Sequence, residues 1–249
     1  MSHFCVAVIV DEPTEEAVEK VLAPYDENIE VEPYVEKTKA QIIEDGKEYK
    51  ACILEKIENE PEYEPSDYAQ GYLKAETDED FYNLEKQNHD HFDEEGNALS
   101  TYNPNSKWDW YTTGFMARFG VDGTFIKLKD IVLEKEDFDL KSVEREWELL
   151  TGQSEPTEEE KENGFFTLWS PQYYLNRYGN KDTYIKLMNI NYPYAFVDSD
   201  HWYEQGQMGW WACDNANKNS ILAFVDAWVD YIQKAENSEK YLVYVDCHI

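Results

Sequence analysis

The sequence predicts an α+β fold: one domain over residues 1–249, with a central mixed or antiparallel sheet that contains both terminal strands and is flanked by helices. Three observations predict it. His3-Val10 (HFCVAVIV) is a β-branched run of strand length, apolar on both faces, as a central strand must be. Tyr241-Ile249 is a second such run at the far end of the chain. Between them, Ser220-Ala235 places Ile221, Leu222, Val225, Trp228, Val229 and Ile232 at helical spacing.

The remaining elements follow in order. Asp11 and Pro13 open a helix whose stripe is Ala17, Val18, Val21 and Leu22, and Pro24 ends it. Tyr25 to Pro33 reads as an acidic loop. A helix is expected over Val35-Glu44, stopped by Asp45-Gly46. Tyr49-Ile57 suits helix or strand. Glu58-Pro65 (ENEPEYEP) is irregular, and a short helical stretch surrounds Phe81 and Leu84. Gly96 to Ser106 forms turns. Thr124-Leu128 and Asp130-Leu133 read as short strands, and Ser142-Leu150 as a helix. Gln153-Asn163 is a polar, acidic surface segment. Ser170-Pro171 is an N-cap followed by proline at the first helical position, starting a helix through Tyr178 that Gly179 closes. Tyr194-Val197 and His201-Tyr203, separated by Asp198-Ser199-Asp200, form a β-hairpin.

Composition narrows the function. The chain has 249 residues, 15% of them aromatic, which is not the composition of a disordered chain. It holds 22 basic and 53 acidic residues, for a net charge of −31. Only three arginines occur, Arg118, Arg145 and Arg177. Direct nucleic-acid binding needs clustered Lys and Arg to displace phosphate counterions, and this chain has no such cluster. Basic protein surfaces and cations are the natural partners of such charge; solubility and self-repulsion are its other use. No apolar run approaches the roughly 18 residues of a membrane span. Cys5-Val10 is too short, and lacks the basic flank, for a signal peptide. Cys5, Cys52, Cys213 and Cys247 show no CxxC spacing and read as reduced thiols. A cytoplasmic protein is expected.

Two aromatic segments are candidate sites. In Tyr102-Tyr111 (YNPNSKWDWY) the first half must turn, and the second is too aromatic for an ordinary loop. Lys107, Trp108, Asp109, Trp110 and Tyr111, with Arg118, could form a pocket with an apolar wall and a few orienting polar groups; a loop pinned into the core is the alternative. In Trp202-Trp211 (WYEQGQMGWW) two glycines permit tight turns that would bring Trp210 and Trp211 against the first segment. Asp109, between two tryptophans, must pair with Lys107, Arg118 or backbone donors, or stay at a pocket mouth. Cys247 and His248 point to opposite faces of a strand, so they do not form a dyad with each other. His3 or Cys5 on a neighbouring strand could meet them, giving a nucleophilic or metal site; a small buried cysteine is the alternative. His89-Asp90-His91 with Asp93, Glu94 and Glu95 fits no standard metal motif, and no metal site is assigned. No P-loop, GxGxxG, GxSxG or HExxH is present, and no cofactor is indicated.

Five blocks carry a resemblance: Met1-Phe4, Leu22-Asn28 with Val31-Tyr34, Tyr102-Tyr111, Gly206-Trp211 and Val245-Ile249. On them the chain resembles an uncharacterised family of phage and bacterial proteins that begin MSHF and end VDCHI. The resemblance spans the whole chain and implies a phage or mobile-element setting, but no activity. Such proteins follow WDWY with a Gly-Gly-Arg-Trp-like stretch; here Thr112-Phe119 (TTGFMARF) departs from it. The expected function is a phage-type accessory protein, for host takeover or anti-defence. It would bind a host protein with a basic surface, such as a defence factor, through its acidic surface. The alternative is an enzyme or small-molecule binder, for a nucleotide-like ligand, built on Trp108-Tyr111.

Overall fold

A computed structural model describes residues 3–60, 62–113, 123–209 and 213–249. Among these the chain runs β1 (His3–Val10), α1 (Glu15–Leu22), β2 (Tyr34–Lys37), α2 (Lys39–Asn59), α3 (Asp67–Lys74), α4 (Asp78–Glu85), β3 (His91–Phe92), β4 (Ala98–Ser100), β5 (Trp110–Thr113) and β6 (Ile126–Lys127). It continues α5 (Leu140–Leu150), α6 (Glu158–Glu162), α7 (Pro171–Tyr178), α8 (Lys181–Met188), β7 (Ala195–Val197), β8 (Trp202–Glu204), α9 (Lys218–Gln233) and β9 (Tyr241–His248). Packing groups these into two compact units: Met1–Glu27 with Asn105–Ile249, and Asn28–Pro104.

The larger unit is the α+β architecture expected. Its sheet has the order β5-β9-β1-β7-β8, with β6 pairing β9. Both terminal strands are therefore central and adjacent. They pair antiparallel over their whole length, from His3 opposite His248 to Val10 opposite Tyr241. β7 runs parallel to β1, so the sheet is mixed. Side chains alternate between the faces. Phe4, Val6, Val8, Val10, Val243 and Val245 pack with Val18 and Leu22 of α1 on one face. Ala7, Ile9, Leu242 and Phe196 pack with Phe224, Trp228 and Ile232 of α9 on the other. That is why β1 reads as apolar on both faces.

The local signals act as their chemistry dictates. The Ser170 side chain accepts from Tyr173 N–H, Pro171 occupies the first turn of α7, and Gly179 ends it with φ of 81°. β7 and β8 form the expected hairpin. Asp198 makes its turn, accepting from the backbone N–H of Asp200 and His201 and from the Tyr231 hydroxyl.

The smaller unit differs from expectation at its first helix. The helix expected over Val35-Glu44 begins only at Lys39, because Thr38 forms a capping box with Gln41. Tyr34–Lys37 instead pairs with β4. Gly46 does not stop α2, which runs on to Asn59 and takes in the ambiguous Tyr49-Ile57. Gly46 is a close-approach point: a Cβ there would lie 3.1 Å from Cβ of Phe81 on α4. Asp93, in the acidic stretch after His91, accepts from Asn97 and Glu95, making a turn.

Between β6 and α5 the structure also corrects the sequence. Only Ile126–Lys127 of the first expected strand pairs, with Leu242 and Tyr241 of β9. Leu128–Asp130 then tightens into a 3-10 turn. Asp130-Leu133 forms no strand; its partner is the segment after α8, through Asn191 N–H donating to Leu133 O at 2.7 Å. The polar Gln153-Asn163 segment contains the short helix α6, started by a Thr157–Glu160 capping box.

The Phe196 ring stacks on Tyr203 at 4.3 Å and meets Phe224, Trp228 and Tyr231. Truncation there empties the centre of the α9 face. Phe196→Ala should cost about 3–5 kcal/mol, read as a lowered urea midpoint at unchanged slope.

Candidate functional site

The register of β5, β9 and β1 distributes the first aromatic segment between two faces. Trp110 lies opposite His248, and Tyr111 opposite Cys247. Tyr111 therefore points to the α1 face, where its ring meets Trp108 edge-on at 5.0 Å. Trp108 is buried, and its indole N–H donates to Leu22 O at 3.3 Å. These two rings are core. Trp110, 44% exposed, points to the opposite face and stacks on the His248 imidazole at 5.2 Å and 18°.

Asp109 finds a partner that the sequence reading did not assign. Its backbone N–H donates to His248 O at 3.0 Å, and its carboxylate meets His248 Nδ1 at 2.6 Å. Lys107 is engaged elsewhere, with Glu204 at 2.9 Å. Arg118, Trp210 and Trp211 lie outside the described residues, as do residues 114–119 of the stretch that departs from the GGRW-like pattern; its first two residues, Thr112 and Thr113, belong to β5. From the second segment, Met208 packs against the α1-face core.

A second pair adjoins the first. His3 Nδ1 meets Asp246 Oδ2 at 2.9 Å. The His3 ring lies edge-on to His248 at 5.0 Å and to Trp110 at 5.4 Å. Two histidine–aspartate pairs and an indole thus share one face at one end of the sheet. An ionised carboxylate only accepts, so each paired Nδ1 carries the proton and Nε2 is the nitrogen left for other work. Among the described residues, neither the buried His248 Nε2 nor the buried Asp246 Oδ1 has a hydrogen-bond partner. Each such atom costs about 1–3 kcal/mol of lost hydration.

His3 and Cys5 belong to the wall of a cavity of about 770 Å³, a volume suited to a small molecule. Tyr192, Tyr194, Tyr244 and Met208 supply apolar wall, and Gln205 and Asp214 polar groups. Asp214 is held by a two-pronged bond from Arg177. Among the described residues, no lysine or arginine lines this cavity.

The cysteines do not supply the nucleophile that the Cys–His alternative requires. Burial, and then the charge of Asp246, push the Cys5 thiol up to about 12. Burial raises Cys247 well above its ordinary value, and its side chain lies in the α1-face core, away from His248. Both thiols stay protonated at neutral pH, where only the thiolate attacks. Elsewhere, Asp198, Asp200 and His201 bring ligand-type atoms within 4.8 Å of one another. Both Asp198 oxygens are already taken by the hairpin turn and Tyr231, so the turn accounts for that cluster.

Comparison with known proteins returns nothing further: no family model, no curated protein and no solved structure matches the chain. Among the described residues, no helix is long and apolar enough to cross a membrane.

Thiol labelling of the native protein at pH 7.5 should modify the exposed Cys52 and Cys213 rapidly, and Cys5 and Cys247 only after unfolding; peptide mass spectrometry of the labelled protein reads this directly. Trp108→Ala should cost about 3–5 kcal/mol in urea unfolding. Trp110→Ala, which removes one stacked pair at a half-exposed position, should cost about 1 kcal/mol.

Proposed function

We propose that the end of the β5–β9–β1 sheet is a general acid–base site that acts on, or binds, a small molecule held in the adjoining cavity. One observation carries the reading. Two histidine–aspartate pairs share one face beside the cavity, and two of their buried atoms, His248 Nε2 and Asp246 Oδ1, have no hydrogen-bond partner among the described residues. A carboxylate on Nδ1 fixes the imidazole's orientation and tautomer, and supports the positive charge that forms when Nε2 takes a proton. His3, in the cavity wall, would exchange the proton with the ligand, and Asp246 would hold His3. His248 and Asp109 form the neighbouring pair, with Trp110 as its apolar cover. With no lysine or arginine among the described lining residues, the favoured ligand is neutral or cationic with an apolar face, rather than rich in phosphate. A buried polar atom without a hydrogen bond calls for an explanation, and a catalytic or binding role next to a cavity supplies one.

The experiment is NMR of the imidazole nitrogens in protein carrying 15N-histidine. Addition of a low-molecular-mass metabolite fraction should move the His3 and His248 signals, and Asp246→Asn should abolish the response while the fold stays intact. Imidazole signals that no fraction moves would make the cluster a structural one and overturn the reading.

A second reading rests on charge. The unit Asn28–Pro104 holds 21 acidic residues against 7 lysines and no arginine. That density supports a phage-type accessory role in the host cytoplasm, such as host takeover or anti-defence, by binding a basic host protein rather than nucleic acid; the resemblance of the five sequence blocks supports the same setting. Steered association between opposite charges weakens with salt. Affinity for such a partner should fall steadily from 50 to 300 mM NaCl, measured by titration calorimetry, and a salt-independent affinity would reduce the charge to a solubility device.

A further inference from the structure

The segment between α6 and α7, Gly164-Phe165-Phe166-Thr167-Leu168-Trp169, is apolar yet faces solvent. Phe166 is 73% exposed, Leu168 76% and Trp169 43%. Together they present apolar surface on the order of 400 Å², the size at which a patch stops being incidental.

The exposure is not that of a loose loop. On one side Phe165 N–H donates to Glu160 O at 2.9 Å, and Gly164 turns the chain with φ of 87°. Glu160 itself is gripped by Arg145, whose Nε and Nη2 each donate to it at 2.8 Å. That grip holds the Glu160 carboxyl down near 2. On the other side, Trp169 stacks on Tyr173 at 4.9 Å, and Ser170 caps α7. Both ends are pinned, so Phe166 and Leu168 are held out of the core by the fold itself.

The rim is acidic. Residues 144–162 contain eight glutamates against Arg145 and Lys161, and Lys181 of α8 pairs with two of them, Glu144 and Glu148. Arg145 is spent on Glu160, and Lys161 on Glu158 at 2.8 Å. Glu155, Glu159 and Glu162 remain exposed in the stretch of chain that leads into the patch.

We propose that Phe166, Leu168 and Trp169 form the apolar centre of a docking surface whose acidic rim selects a basic, apolar-tipped segment of a partner protein. Charge decides the occupant. A second copy of this chain would bring its own acidic rim and its own net charge of −31 to the contact, so self-association is opposed. An anionic membrane surface is opposed for the same reason. A segment that alternates lysine or arginine with leucine-type side chains satisfies both the centre and the rim. The rim then steers the encounter and the apolar centre holds the complex. This inference does not depend on the acid–base site, which lies elsewhere in the same unit.

The test uses a synthetic amphipathic peptide of leucine and lysine, with its leucine–glutamate counterpart as control, on the full chain and on Phe166→Ser/Leu168→Ser. Both residues are exposed, so the double variant should keep the native unfolding transition. The expected result is binding of the lysine peptide that the double variant weakens at least tenfold, about 1.4 kcal/mol, with no binding of the glutamate peptide. Equal binding of the lysine peptide to both proteins would mean that diffuse charge alone attracts it, and would overturn the proposal. So would equal binding of the two peptides, patch-dependent dimerisation in sedimentation, or patch-dependent adsorption to phosphatidylcholine vesicles. A variant that unfolds is replaced by Glu159→Lys/Glu162→Lys, which leaves the apolar centre intact and should weaken the lysine peptide alone.

Discussion

The pairing of β1 with β9 is the constraint on which the larger unit depends. Its eight-residue register sets two things at once. It makes both strands central, so each must be apolar on two faces, and it decides which polar residues meet at the strand ends. His3 lies opposite His248, and Cys5 opposite Asp246. A slip of one residue would exchange the faces, because side chains alternate with a period of two. His248 would then enter the α1-face core and Cys247 would face Trp110. The valines at positions 6, 8, 243 and 245 make that slip unfavourable, since they fill the α1 face between them. The site's geometry is therefore fixed by apolar residues that take no part in it.

The same alternation explains what the sequence disclosed and what it hid. The terminal strands, α9, α7 and the β7–β8 hairpin each carry a local signal: a doubly apolar run, a helical stripe, a Ser-Pro start with a Gly stop, a turn between alternating segments. Each signal acts on a neighbour only a few residues away. The errors fall where a distant contact decided the outcome. Asp45-Gly46 looks like a helix stop until Phe81 arrives to occupy the space that a Cβ would take. Asp130-Leu133 looks like a strand, but the chain after α8 supplies its hydrogen-bond partner.

The candidate site shows both behaviours. The unusual chemistry of Trp108-Asp109-Trp110-Tyr111 is legible, as is the opposition of Cys247 and His248 across their strand. The sharing of labour within the segment is not. Four consecutive aromatic or charged residues suggest one pocket, yet strand geometry sends Trp108 and Tyr111 into the core and leaves Trp110 over His248. One partner of Asp109 comes from the last strand, 139 residues away in sequence. The meeting of His3 with His248 was open to the sequence, because both terminal strands were expected in one sheet; that Asp109 joins them was not, because β5 pairs with β9 only in the folded chain.

The choice of histidine as the partner for these carboxylates has a consequence in so acidic a protein. Lysine or arginine beside Asp246 would fix a permanent ion pair. Such pairs are what the protein uses at Arg177–Asp214 and at Arg145–Glu160, where a set geometry is needed. Imidazole is the one basic group that can hold or release a proton near neutral pH. Pairing a buried carboxylate with it keeps the carboxylate hydrogen-bonded in either state, while leaving the second ring nitrogen available. A structural role alone would be met by the first nitrogen. Asp246 Oδ1 and His248 Nε2, buried and unmatched among the described residues, are the part that a structural role leaves without explanation. Both atoms are acceptors in this arrangement, so a bound molecule would have to offer two donors to satisfy them, beside a cavity wall already formed by His3.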